Sequence, residues 1–388
     1  MRTIGLVTTS RADYGIYRPL LKAIETAPGL ELFIIASGTH LSPSHGLTAQ
    51  QIEEEGFAIG AKVECLPVSD DSMGVAMALG EGVTGFAKCL AQNRPDILVV
   101  LGDRFEMFAA ACAAAPQKIP LAHIHGGELT QGALDDQFRH AMTKLSHLHF
   151  AATDDYAKRV IQMGEEPWRV TVCGALSLDN LESLALMERG QLEAELGIPL
   201  DPAPLLVTFH PETLSDLEPR RQANELLAAL EIIRMPVIFT LPNADAGGGE
   251  IASQINQFVK QHEWAFVRDN LGSRRYFSLM RLAAAMVGNS SSGIIEAPSF
   301  YLPVVNIGIR QRGRARAVNV IDASLEKEAV LQAVQKALEP SFKASLQEIA
   351  NPYYRGGAAA CVLERLVAVE LDQRLLMKEF HDMKAGCA

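Results

Sequence analysis

A chain of 388 residues is too long for one ordinary hydrophobic core, so two domains are expected. Its 48% apolar content lets both bury a core, and a formal charge of -11 argues against a general nucleic-acid binder, which would carry a basic face. Six scattered cysteines (Cys65, Cys89, Cys112, Cys173, Cys361, Cys387) form no CxxC pair and read as reduced, buried thiols, not as a disulfide framework or zinc site.

The opening MRTIGLVTTS turns polar too early for a signal peptide, and no apolar run approaches the ~18–20 residues of a membrane span. A cytoplasmic protein with no membrane partner is expected. In chain order, strands are expected at Thr3–Thr8, Glu31–Ala36, Ile97–Leu101, Leu121–His125, His149–Ala152 and Arg169–Cys173. Most are continuous apolar runs, the pattern of parallel strands buried on both faces. Asp13–Thr26 reads as a helix with Ser10 in its N-cap region and Gly29 beyond its end. Phe105–Ala114 reads as another. Glu188–Pro204 is charged, then broken by Pro199, Pro202 and Pro204, which suggests a helix followed by a linker.

The pattern then restarts. Strands are expected at Leu205–Phe209, Val237–Leu241, Ala265–Val267, Ala284–Val287, Val304–Ile307 and Val318–Ile321, with helices such as Arg221–Ile233 among them. Tyr354–Lys384 is expected to be helical, with apolar spacing at Leu363, Leu366, Val367 and Leu371. The expected fold is α/β of the GT-B class: two Rossmann-like, doubly wound parallel sheets facing each other across a cleft. The boundaries are residues 1–180, 181–365, and a helix over 366–388 packing back on the first domain. Ligands in such sheets bind at the carboxyl ends of strands.

Candidate site residues fall at those ends. Gly288-Asn289-Ser290-Ser291-Ser292-Gly293 follows a strand and leads into a helix. Free N–H groups and serine hydroxyls there suit a phosphate, and Glu296 suits a ribose diol. A serine-capped helix is the plain alternative. Asp103 and Arg104 follow the strand ending at Leu101, where α/β active sites form, and Arg104 is expected to contact the substrate or UDP; an N-cap with an ion pair is as simple a reading. In His123-Ile124-His125-Gly126-Gly127-Glu128, alternation puts His123 and His125 on one face of a strand end, with Glu128 and the Asp135-Asp136 pair nearby. Such carboxylates can take and give protons if their environments differ. A metal is the rival reading of this cluster, without strong zinc spacing to support it; capping and salt bridges are the plain one. His210, Asn243 and Asp245 also follow strands, where turn chemistry is the alternative. Arg11 and Arg310 can each give a phosphate charge-assisted bonds.

Taken together, SRADYG (10–15), GDRFE (102–106), HIHGGE (123–128), DDQFRHAMTKLSHLHF (135–150), HPET (210–213), PNADAG (242–247) and GNSSSGIIE (288–296) resemble the hydrolysing UDP-N-acetylglucosamine 2-epimerases, in order and spacing, from residue 3 to about 365. The resemblance implies the GT-B fold and a two-step reaction without a metal or other cofactor. UDP is eliminated anti to the C2 proton, leaving a 2-acetamidoglycal; water then adds with inversion at C2. It implies catalytic roles for Asp103, Glu128 and Asp135/Asp136, and UDP contacts at Arg11, His210, Ser290, Ser291, Glu296 and Arg310, with Asn243 and Asp245 nearby. It also implies a homodimer or homotetramer. The implied reaction converts UDP-N-acetylglucosamine to UDP and N-acetylmannosamine, the start of sialic acid synthesis. The alternative substrate is UDP- or GDP-2,4-diacetamido-2,4,6-trideoxyglucose, for legionaminic acid; ELTQGALDD looks at least as close to that branch.

Many relatives carry Glu where this chain has His125, so His125 either acts as a base or orients Glu128. Two further readings stand beside these. A GT-B glycosyltransferase would need an acceptor surface, of which the sequence shows no sign. A nucleotide-sugar sensor would need no carboxylate cluster.

Overall fold

The computed structural model describes all residues except 44–45, 70, 243–246, 269–270 and 384–388. Among the described residues, thirteen strands form two sheets, and every recorded pairing is parallel. The chain divides into two compact units: Met1–Glu128, Asp135–Glu182 and Tyr353–Ala388 form the first, and Leu129–Leu134 with Ser183–Pro352 the second.

The first unit holds β1 (Arg2–Thr8), β2 (Leu30–Ser37), β3 (Ile59–Val63), β4 (Ile97–Leu101), β5 (Leu121–Ile124), β6 (Leu148–Ala151) and β7 (Val170–Val172), in sheet order β3-β2-β1-β4-β5-β6-β7. β4, β5 and β6 are buried throughout, as strands covered on both faces must be. The helix Phe105–Ala114 is rich in alanine and nearly all buried. Small residues let the helix Ser72–Gln92 come close to it: a Cβ at Gly82 would stand 3.1 Å from the Ala109 Cβ.

The second unit holds β8 (Leu205–Thr208), β9 (Val237–Thr240), β10 (Ala265–Val267), β11 (Ala285–Gly288), β12 (Val304–Ile307) and β13 (Val320–Ala323), in order β10-β9-β8-β11-β12-β13. Each sheet changes direction of winding once, at β1/β4 and at β8/β11. Such switch points are where open α/β sheets bind ligands.

Three expectations are corrected. β3 is absent from the sequence reading because it is an edge strand with alternating burial and Gly60 and Lys62 in it, not a continuous apolar run. The second unit closes at Pro352 rather than 365 and takes Leu129–Leu134 out of the first half of the chain. Among the described residues, the expected C-terminal helix over 366–388 is not continuous. Ala358–Ala368 is helical and belongs to the first unit, followed only by the single turn Gln373–Leu376. The Arg2 guanidinium takes the carbonyls of Leu366, Val367 and Val369, ending the helix there. Val367 and Leu371, expected on an apolar face, are exposed. Lys384 and Cys387 lie outside the described residues. Among the described residues, no helix is long and apolar enough to cross a membrane.

Candidate active site

In the first unit the loops after β1, β4 and β5 carry the candidate groups. After β1, Ser10 caps the helix Arg11–Thr26 in a capping box with Asp13. The buried Asp13 carboxylate accepts from Thr9 N and Ser10 N (both 2.8 Å), Tyr14 N (2.7 Å) and the Thr8 and Thr9 hydroxyls (3.0 and 2.8 Å). That shell rigidifies the turn from which Arg11 projects, half-buried, at the helix start.

After β4, Gly102 adopts φ +72, which turns the chain sharply. Asp103 then pairs with Arg139, while Arg104 forks onto the buried Glu106 at 3.1 and 2.8 Å. The helix N-cap is Arg104, not Asp103. After β5, the alternation expected to align His123 with His125 ends, because His125 takes φ +65. His123 bonds the Gly102 carbonyl through Nε2 at 2.8 Å. Burial presses its pKa down to about 3, against the pull of that hydrogen bond, so it is neutral at physiological pH.

His125 turns elsewhere: its Nδ1 lies 2.5 Å from Glu128 Oε1, and Glu128 is 1% exposed. Arg139 donates to the His125 carbonyl at 2.8 Å and stands 3.8 Å from Glu128 Oε2. One guanidinium therefore offsets the charge of both Asp103 and the buried Glu128, which makes the burial of Glu128 tolerable. Asp135 and Asp136 open the helix Asp135–Leu145, with His140 3.6 Å from Asp136. Arg139 lies on that helix, three and four residues after the aspartates and inside the string DDQFRHAMTKLSHLHF, which shows its place but not its partners. Among the described residues, no group of three or more His, Cys, Asp or Glu is placed to hold a metal ion.

In the second unit the loops after β8, β11 and β12 are tied together. A Cβ at Gly288 would overlap the Thr208 carbonyl, so glycine alone lets β11 end there; its φ is +134. Asn289 and His210 exchange bonds: His210 N donates to Asn289 Oδ1 at 2.7 Å, and Asn289 Nδ2 donates to His210 O at 2.8 Å. Gln311 Nε2 donates to Asn289 O at 2.8 Å, and Glu212 accepts from Ile309 N at 2.6 Å and Arg310 N at 3.3 Å. Sequence reasoning missed Asn289, Glu212 and Gln311 as the braces of this site, because their partners are 79 to 98 residues away for the first two and 22 for the last.

The structure therefore brings His210, Ser290, Ser291 and Arg310 onto adjoining loops at the β8/β11 switch point and the next strand. The helix after the serines is shorter than expected. It spans Ser292–Ile295, with Glu296 at its end rather than inside it, and gives way to a 3-10 turn containing Pro298, which has no N–H to continue the ladder. Tyr276 packs near this helix. Burial first and then the Glu296 charge raise its hydroxyl pKa, against hydrogen bonds from Ser292 and Thr208, to about 12. Arg310 is 8% exposed, and its buried Nε has no hydrogen-bond partner among the described residues. A buried guanidinium left partly unmatched is suited to an anionic ligand. Asn243 and Asp245 lie outside the described residues.

The UDP-N-acetylglucosamine 2-epimerase family model matches residues 22–367. The chain belongs to this family. It is 39% identical, over 88% of its own length and 89% of the relative's, to the GDP/UDP-N,N'-diacetylbacillosamine 2-epimerase (hydrolyzing) of Campylobacter jejuni. It is 34% identical to polysialic acid biosynthesis protein P7 of Escherichia coli, over 99% and 98% of the two chains. The protein is accordingly an enzyme of the hydrolysing nucleotide-sugar 2-epimerase type. A solved UDP-GlcNAc 2-epimerase from Neisseria meningitidis, bound to UDP-GlcNAc, superposes with a TM-score of 0.78 over 95% of this chain and 100% of that one, at 17% identity. That likeness shows the GT-B-type fold.

Proposed function

We propose that this enzyme cleaves a UDP-linked 2-acetamido sugar with inversion at C2, and that its preferred sugar is 2,4-diacetamido-2,4,6-trideoxyglucose, which is N,N'-diacetylbacillosamine. The 39% relative supports that sugar by its name. N-acetylglucosamine is the second reading, supported by the relative named for polysialic acid biosynthesis. The order of the two is thus the reverse of the expectation from sequence.

The observation that carries the reaction is the charge layout on the loops at and beside the switch point of each sheet. The first unit gathers acid–base groups around Arg139; the second presents a buried arginine with an unmatched Nε, a histidine and serines. In the first step the C2 proton is taken, the C1–O bond breaks, and its electron pair leaves on the UDP phosphate oxygen. In the second, water supplies a hydroxyl to C1 and a proton returns to C2 from the opposite face. The sum is nucleotide sugar plus water to UDP plus the epimeric free sugar. Arg310, Arg11, His210, Ser290 and Ser291 stabilise the departing diphosphate, and Glu296 takes the ribose. Arg104 is engaged by the buried Glu106, and serves the substrate through that pair.

His125 and Glu128 form the base. A carboxylate only accepts, so the proton on His125 sits at Nδ1 and the Nε2 lone pair is left for the sugar. Asp103, Asp135 and Asp136 supply the second proton-transfer group. Incubation with UDP-2,4-diacetamido-2,4,6-trideoxyglucose or UDP-N-acetylglucosamine in D2O, followed by NMR, tests the reading. Free manno-configured sugar with deuterium at C2 is expected, faster from the diacetamido substrate. Epimerised sugar still attached to UDP, or product without C2 label, would overturn it.

A further inference from the structure

The two halves of the acid–base cluster are separated in sequence by a segment that belongs to the other unit. Glu128 ends one stretch of the first unit, Asp135 begins the next, and Leu129–Leu134 is part of the second unit. It is held there at four points. Arg314 donates to Leu129 O from Nε at 2.6 Å and to the Thr130 hydroxyl from Nη2 at 3.4 Å. Leu214 N donates to Gly132 O at 2.9 Å, and Leu134 N donates to the Thr213 hydroxyl at 3.1 Å.

Packing closes the same anchorage. Thr130 and Ala133 are buried, and Ala133 N bonds Thr130 O at 3.2 Å, folding the segment into a turn. A Cβ at Gly132, which has φ +75, would press on Ile309 at 3.1 Å; one at Gly313 would press on Leu129 at 2.8 Å. The anchoring residues are continuous with the nucleotide loops. Thr213 and Leu214 directly follow Glu212, which braces the backbone of Ile309 and Arg310, and Arg314 lies on the same loop as Arg310.

We propose that Leu129–Leu134 is a positioning element through which nucleotide binding sets the acid–base cluster, with Thr213 and Arg314 as its positioning residues. A diphosphate held by Arg310 and His210 steadies the loop around Glu212. That loop holds Leu129 and Leu134, and each of these is bonded in sequence to a proton-transfer residue or its neighbour. Small displacements of a reacting group cost rate steeply, about 100-fold for roughly 1 Å. Proton removal is thereby restricted to molecules whose nucleotide site is filled. The proposal rests on the UDP reading above.

The test uses the full-length protein with Thr213→Val, Thr213→Ser and Arg314→Lys. It measures UDP affinity by calorimetry, kcat and KM, and amide hydrogen exchange over residues 129–136 with and without UDP. UDP is expected to slow exchange in the wild type. Thr213→Val is expected to lose that protection and to lower kcat by roughly 10- to 100-fold with UDP affinity unchanged. Thr213→Ser, which keeps the acceptor oxygen, restores both, and Arg314→Lys falls between them. An active wild type without UDP-dependent protection, or a Thr213→Val enzyme with unaltered kcat, overturns the coupling alone. A wild type that binds no UDP overturns the functional reading as well.

Discussion

Arg139 shows how charge is arranged at single residues. It pairs with Asp103, faces Glu128 and donates to the His125 carbonyl, so two motif carboxylates share one counter-charge and the same guanidinium holds a third motif residue by its backbone. The motifs GDR and HIHGGE were legible because the first directly follows an apolar strand and the second runs out of one. Arg139 was not, because its link to Asp103 spans 36 positions and exists only once β4 and the helix Asp135–Leu145 are packed. Glu128→Gln keeps the shape but cannot balance a proton on His125. Its kcat is expected to fall roughly 10²- to 10⁴-fold, the usual span for a general acid–base group, with UDP binding retained. Full activity in that variant, measured with saturating substrate, would remove the pair from the proton-transfer set.

Elements were predicted well where burial is two-sided and poorly where it is not. β4 and β12 have the bounds that their apolar runs predict. β3, at the sheet edge, has no such run, and the apolar spacing of the last segment predicts a helix that the fold does not use. That tail is held instead by backbone carbonyls. Arg169 donates to Leu375 O and Arg374 O at 2.8 Å each and to Glu166 at 2.7 Å, and its guanidinium lies 4.2 Å from the centre of the Trp168 ring. Lys378 reaches Ser146 O at 2.6 Å and Glu165 at 2.7 Å. Arg169→Met would leave buried acceptors unmatched. A loss of about 2–4 kcal/mol in urea denaturation is expected, with faster proteolysis after Val369. Unchanged stability would show that the tail is not held this way.

For the molecule as a whole, a set of acid-sensitive buried groups lies in the first unit. Burial lowers the pKa of His123 to about 3 and of His147 to about 4, from an ordinary 6.5, and lowers that of His149. The unfolded chain takes up protons at these histidines below about pH 6.5, while the folded chain resists until their depressed values. Their contribution to stability is therefore full above that pH and lost as pH falls toward 3. Burial opposes ionisation of Glu165, but bonds from His149, Lys144 and Lys378 outweigh it and bring its pKa to about 2, so its contribution is lost from about 4.5 downward. Thermal melts are expected to fall steadily from pH 7 to pH 4, and less steeply in His123→Gln. A flat profile would contradict the burial argument.

The sequence by itself determined the two parallel sheets and the motifs at their carboxyl ends, because strand burial and loop chemistry are local properties written in consecutive residues. Only the tertiary structure decided which charges meet and where the units divide. Asn289 with His210, Glu212 with Arg310, and Leu129–Leu134 with Arg314 are long-range pairings, set by packing rather than by any pattern along the chain.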